Sequence, residues 1–69
     1  MTKIQFMEMV VRECQVRSQM TYSFSKRRLK SFKRWFITKG KKHFKWSKVF
    51  AENQFKNFCK AFNVKIDDN

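Results

Sequence analysis

The sequence predicts an all-α fold, a small single-domain bundle of three or four helices, and three observations favour it. The 69 residues include no proline and one glycine, so the turn residues of a β-sandwich or barrel are missing. Aromatic residues make up 17% of the chain, which is enough to build a core despite the high charge. Apolar residues also recur at helical spacing in several stretches.

The first predicted helix covers about residues 2–18, with Thr2 as its N-cap. Its apolar stripe, predicted to face the core, consists of Ile4, Met7, Val11 and Cys14. Apolar and hydroxyl residues then alternate over residues 20–25, which indicates a short extended connector. Ser23 or Ser25 is predicted to cap the next helix.

The second predicted helix covers about residues 26–39 and ends before Gly40, since a glycine commonly follows the last helical turn. Its apolar face contains Leu29, Phe32 and Phe36. An α+β fold with a β-hairpin around residues 34–46 is the alternative. Residues 35–38 have high strand propensity, residues 43–46 alternate, and Lys39 and Gly40 would form the turn.

The last helical segment begins near Ser47, which is predicted to be its N-cap. Its apolar residues form two offset faces, so either one helix with a broad face or two helices broken near Asn53 fits the pattern. We expect a single basic domain over residues 1–63 and a flexible tail over residues 64–69. The predicted core comprises Ile4, Met7, Val11, Cys14, Leu29, Phe32, Phe36, Val49, Phe50, Phe55, Phe58 and Phe62.

Positive charge is concentrated in the middle of the chain. The net charge is +12, and residues 26–48 contain 11 basic residues and no acidic one. Such a stretch predicts an anion-binding surface, because lysine and arginine that neutralise nucleic-acid phosphates release counterions. The predicted surface comprises Lys26, Arg27, Lys30, Lys33, Arg34, Lys41, Lys42 and Lys45.

Three rings within this basic stretch are candidates for stacking on unpaired bases, although rings more often pack in a core. They are Trp35, Phe44 and Trp46. Basic residues with interleaved rings predict a small non-enzymatic protein that binds DNA or RNA, with a regulatory role of the kind found in phages and mobile elements. Strand type, sequence specificity and oligomeric state stay open.

Two other classes of function fit the composition. In the first, the protein is an effector that docks its basic helix on an acidic patch of a larger protein, with aromatic and arginine side chains as the main contacts. In the second, it is a peptide that lies on anionic membranes. The opening and closing helices argue against the membrane class, since their apolar faces are predicted to bury each other.

An enzyme, a metal site and a bound cofactor are not expected. His43 is the only histidine, the acids are scattered, and no glycine-rich phosphate loop is present. Cys14 and Cys59 lie on apolar stripes, which is typical of inert thiols in a reducing compartment, although a single disulfide between them stays open. The sequence shows neither a signal peptide nor an apolar run of membrane-spanning length, so we expect a cytoplasmic or, in a eukaryote, nuclear protein.

Overall fold

A computed structural model describes residues 1–67 as a small, mostly helical domain. These residues form, in chain order, helix α1 (Lys3–Ser18), strand β1 (Ser23–Phe24), helix α2 (Lys26–Phe44), helix α3 (Lys48–Ala61) and strand β2 (Lys65–Ile66). The prediction of a small helical domain is confirmed. The alternative hairpin over residues 34–46 is wrong, because α2 runs through most of it. The last helix does not break at Asn53.

Side chains that precede each helix fix where it begins. The Thr2 hydroxyl accepts a hydrogen bond from the Gln5 amide at 3.1 Å, and the Gln5 side chain accepts one from the Thr2 amide at 2.9 Å. This reciprocal pair is a capping box. The hydroxyls of Ser25 and Ser47 accept in the same way at the starts of α2 and α3. The predicted caps at Thr2 and Ser47 are therefore confirmed, and Ser25 rather than Ser23 caps α2.

The sequence predicted that α2 ends before Gly40. Instead, the helix continues to Phe44 and ends with Lys45 in a left-handed conformation. Gly40 is buried inside the helix and has no positive φ. A Cβ atom at this position would lie 2.3 Å from Cε3 of Trp46. The glycine is therefore needed for the close approach of a ring rather than for a turn.

Helix α1 is rotated from its predicted orientation, so that Cys14 is the one member of the predicted stripe that is fully buried. Phe6, Val10, Cys14 and Ser18 are buried, whereas Ile4 is 73% exposed and Met7 is 37% exposed. The Phe6 ring makes edge contacts with the rings of Phe36, Phe44 and Trp46, at centroid distances of 5.6, 5.1 and 5.4 Å. A large ring removes more apolar area from water than isoleucine or methionine, so it sets the rotation of the helix.

In the other two helices the predicted core is partly correct. Phe32, Phe36, Phe55 and Phe58 are buried as predicted, and Ala51 joins them. Leu29 and Val11 are half-buried. Val49 and Phe50 were wrongly placed in the core and are exposed, because a single helix turns only one of its two apolar faces inward. Phe62 is also exposed, stacked on Phe58 at 4.7 Å.

Strands β1 and β2 pair in parallel, with Ser23 opposite Lys65 and Phe24 opposite Ile66. The Lys65 amide donates to the Tyr22 carbonyl at 2.9 Å, and the Asp67 amide donates to the Phe24 carbonyl at 2.7 Å. The sequence predicted a flexible tail over residues 64–69, but Lys65 and Ile66 are paired with β1. Residues 68 and 69 of that predicted tail lie outside the described part of the chain. The sheet also holds Phe24 in the core, stacked on Phe32 at 5.4 Å.

Candidate functional site

Most cations of α2 lie on the sides of the helix that no other element covers. Phe32, Phe36 and Gly40 mark the buried side. Arg27, Lys30, Arg34 and Lys41 are exposed on roughly the opposite side. The capping of α2 by Ser25 and the packing of its rings thus determine which way these charges point.

A groove between α2 and α3, here called the basic groove, gathers cations from both helices. Its upper part has a volume of about 480 Å³. The lining residues are Lys30, Lys33, Arg34, Ile37, Thr38 and Lys41 from α2, and Lys48 and Glu52 from α3. Four predicted site residues therefore converge here. Glu52 is the one acidic residue in this lining, and its Oε2 atom lies 3.5 Å from Nζ of Lys33.

The basic groove continues toward the start of α2, because a second cavity of about 390 Å³ shares Lys30 and Lys33 with the first. Lys26 and Lys56 complete its charged rim. The remaining lining is apolar and consists of Leu29, Phe55, Cys59 and Ile66. This lower part therefore combines an apolar floor with four lysines.

The predicted site lacked Lys48 and Lys56, which α3 contributes to the basic groove. Both residues lie on one side of α3, since they are eight positions apart. That spacing is visible in the sequence. What it does not show is that this side of α3 faces α2, which depends on the packing of Ala51, Phe55 and Phe58.

Three predicted site residues, Arg27, Lys42 and Lys45, are exposed but do not line the basic groove. Arg28, which the predicted site also lacked, is exposed at the flank of α2 that faces α1. There Arg17, Arg28 and Ser31 line a small cavity of about 220 Å³. Cations therefore flank α2 on both sides.

The three rings proposed for base stacking are half-buried and pack within the domain. Phe44 and Trp46 stack on each other at 5.3 Å. Trp35 lies 6.0 Å from the Phe32 ring, and the Arg17 guanidinium lies 5.9 Å from Trp35. None of the three lines the basic groove. Their stacking on bases stays a prediction, while the structure gives each of them a packing contact.

The two thiols are free and stay protonated at neutral pH. Burial raises the pKa of Cys14 to about 11. Burial also raises the pKa of Cys59 to about 11, with a further contribution from Cys14 and an opposing one from Lys33. A protonated thiol is a poor nucleophile and a poor metal ligand. Residues 1–67 contain no group of three histidine, cysteine or carboxylate side chains placed to hold a metal ion.

Two further observations bear on function. None of the helices in the described part of the chain is long and apolar enough to cross a membrane. Comparisons with protein families, with curated proteins and with solved structures found no match for this chain. Charge and geometry therefore carry the functional interpretation.

Proposed function

We propose that this chain is a small non-enzymatic nucleic-acid-binding protein whose basic groove and adjoining face of α2 bind phosphates. The observation that carries the proposal is the convergence of Lys30, Lys33, Arg34, Lys41 and Lys48 on one groove. Like charges held this close repel one another, and a polyanion relieves that repulsion. A cytoplasmic or nuclear location and a regulatory role of phage or mobile-element type belong to the same proposal.

The cations of the upper groove are available to a ligand. Over residues 1–67, Lys30, Arg34, Lys41 and Lys48 form no ion pair, and only Lys33 is near a carboxylate. Lysine is a flexible point charge, whereas arginine grips a phosphate with a planar fork. A phosphate chain that follows this surface displaces its counterions at each contact, which makes binding strongly dependent on salt.

The test is a fluorescence anisotropy titration of labelled DNA and RNA, single- and double-stranded, at several salt concentrations from about 50 to 200 mM. Affinity should fall by orders of magnitude across that range if about six or more phosphates are contacted. The double variant Lys30→Gln/Lys41→Gln should bind more weakly, because both lysines line the basic groove. It should also lower the slope of log affinity against log salt by about two, because two phosphate contacts are lost.

Lys3→Gln/Arg12→Gln is the matched control. Both of these residues are exposed on or beside the outer face of α1, and their replacement removes the same two charges. A purely global charge effect would weaken binding equally in the two variants, and that result would contradict the proposed site. Affinity that does not change with salt would contradict the proposed mechanism.

An effector directed at a protein is the second candidate, and the lower part of the basic groove is the observation that favours it. There an apolar floor that includes Leu29 and Phe55 lies beneath lysines. Such a surface fits an apolar side chain flanked by carboxylates, as on an acidic patch. Affinity capture that resists nuclease and returns one protein in stoichiometric amount would favour this candidate over nucleic acid.

A further inference from the structure

We infer that the ligand is double-stranded DNA and that α2 binds in its major groove. The inference rests on the proposed nucleic-acid function and narrows it to one kind of nucleic acid. Three features of the structure support it: the chemistry of the outward face of α2, the cations on its two flanks, and the packing of the aromatic rings.

The outward face of α2 carries side chains of the types that proteins use to hydrogen-bond to base edges. Arg27, Ser31, Arg34 and Thr38 are all exposed. The Ser31 hydroxyl accepts a hydrogen bond from Arg17 at 3.2 Å, and the Thr38 hydroxyl donates one to the Arg34 carbonyl at 2.9 Å, so each hydroxyl keeps a lone pair for a base amino group. At about 100° per residue these four positions fall within about 60° of one another, so they form one row along the helix. The row is about 16 Å long at 1.5 Å per residue. Arginine pairs with O6 and N7 of guanine in the major groove, and serine and threonine hydroxyls bond to several bases.

Cations lie on both flanks of this row. The basic groove on the α3 side supplies Lys33, Lys48 and Lys56, and the α1 side supplies Arg28 and Lys42. A helix with its side chains is about 10–12 Å across, and the major groove of B-DNA is about 12 Å wide. A helix seated in that groove has the phosphates of one strand on each side. The two flanks of α2 match this arrangement.

The packing of the rings favours a duplex over a single strand. Proteins that bind single strands offer aromatic platforms on which unpaired bases stack. Here Trp35, Phe44 and Trp46 pack against the core, and no aromatic residue belongs to the row of four. Double-stranded RNA is disfavoured for a different reason, since its major groove is deep and too narrow for side chains to read.

The experiment compares duplex DNA, duplex RNA and single-stranded DNA of the same sequence in anisotropy titrations at about 150 mM salt. Duplex DNA should bind about tenfold or more tightly than the other two, because only its major groove admits α2. A second DNA duplex carries 7-deazaguanine, which removes the N7 acceptor without changing charge. The wild type should bind this duplex several-fold more weakly than the unmodified one, and the loss should be smaller for Arg27→Ala/Arg34→Ala, which has no donor left for N7 at these positions.

Arg28→Ala is the matched control, since it makes the same exchange at a flank residue and should keep the full response to 7-deazaguanine. Equal affinity for duplex DNA and either other ligand overturns the inference, and so does indifference of the wild type to 7-deazaguanine. Both of these results leave salt-dependent binding of nucleic acid intact. Failure of the proposed function differs from them, because no nucleic acid would then bind with a salt-dependent affinity.

Discussion

Trp46 lies over Gly40, and this contact links the end of α2 to the core. Its ring approaches so closely that a Cβ on residue 40 would lie 2.3 Å from Cε3. The same ring meets Phe6, Phe44 and Phe50 at centroid distances between 5.3 and 5.4 Å. Gly40 therefore allows Trp46, which follows α2 in the chain, to fold back and cover the end of that helix.

We predict that Gly40→Ala lowers the free energy of unfolding by about 1–3 kcal/mol, because the added methyl displaces the Trp46 ring from its packing. Alanine in place of a helical glycine ordinarily stabilises by about 0.5–1 kcal/mol. In a Trp46→Ala background the same change should therefore be neutral or stabilising. Urea denaturation of the four proteins of this cycle measures the coupling. Equal effects of Gly40→Ala in both backgrounds would contradict the packing explanation.

The two thiols should make stability depend on pH in the alkaline range. Burial raises their pKa from 9.0 to about 11, so the folded state binds these protons more tightly than the unfolded state. Their contribution is complete below about pH 9 and is lost as the pH rises toward about 11. We predict that the free energy of unfolding falls less steeply over this range in Cys14→Ala/Cys59→Ala than in the wild type. Identical slopes would show that the thiols titrate normally.

Helix α1 shows how an element with two overlapping apolar stripes is oriented by its partners. The predicted stripe of Ile4, Met7, Val11 and Cys14 and the buried stripe of Phe6, Val10 and Cys14 both have helical spacing, and they share Cys14. Contacts of Phe6 with rings on α2 and with Trp46 turn the second stripe inward. The periodicity alone predicts that a helix forms, but it does not predict the rotation of that helix about its axis.

We predict that Phe6→Ala lowers the free energy of unfolding by about 3–5 kcal/mol, as for other buried aromatic side chains. Phe6 is only 2% exposed. Ile4→Ala, on the same helix, should change the free energy of unfolding by less than about 0.5 kcal/mol, because the Ile4 side chain is largely in water. Chemical denaturation measures both. If Phe6→Ala leaves too little folded protein, Phe6→Leu gives a milder version of the comparison. A larger loss of unfolding free energy from Ile4→Ala than from the Phe6 variant would show that the other stripe of α1 is buried.

Over the whole molecule, repulsion among cations opposes the compact state. The net charge of +12 belongs to a chain of 8.5 kDa, and many of its cations face the same side of α2. Within residues 1–67 the ion pairs that oppose this repulsion include Glu13 with Arg17 and Glu52 with Lys33. The four side chains are only half-buried, and ion pairs near the surface contribute about 1 kcal/mol or less each. The packed rings must therefore hold the charges together.

We predict that the midpoint of thermal unfolding rises when sodium chloride is increased from about 20 to about 500 mM, because salt screens exposed charges. Circular dichroism at 222 nm follows the transition. The rise should be smaller in a variant that combines Lys30→Gln, Arg34→Gln, Lys3→Gln and Arg12→Gln, which carries four fewer positive charges. A midpoint that falls with salt would mean that favourable ion pairs outweigh the repulsion.

The sequence by itself determined the helical class, the helix starts at Thr2 and Ser47, and the burial of Cys14, Phe32, Phe36, Phe55 and Phe58. These features depend on local capping and on spacing within one segment, both of which are read directly along the chain. The cluster of charge in residues 26–48 is local in the same sense. Four of the predicted basic residues consequently line the upper part of the basic groove.

Only the tertiary structure decided the rotation of α1, the pairing of β1 with β2, the role of Gly40 and the contribution of Lys48 and Lys56 to the groove. Each of these depends on contacts between segments that are distant in the chain or separated by a turn. Alternation over residues 20–25 predicted an extended connector where β1 lies, but two-residue strands carry no signal of their pairing partner. Residue 40 is a glycine because of a ring six positions later. Packing between elements chooses among arrangements that local pattern leaves equally favourable.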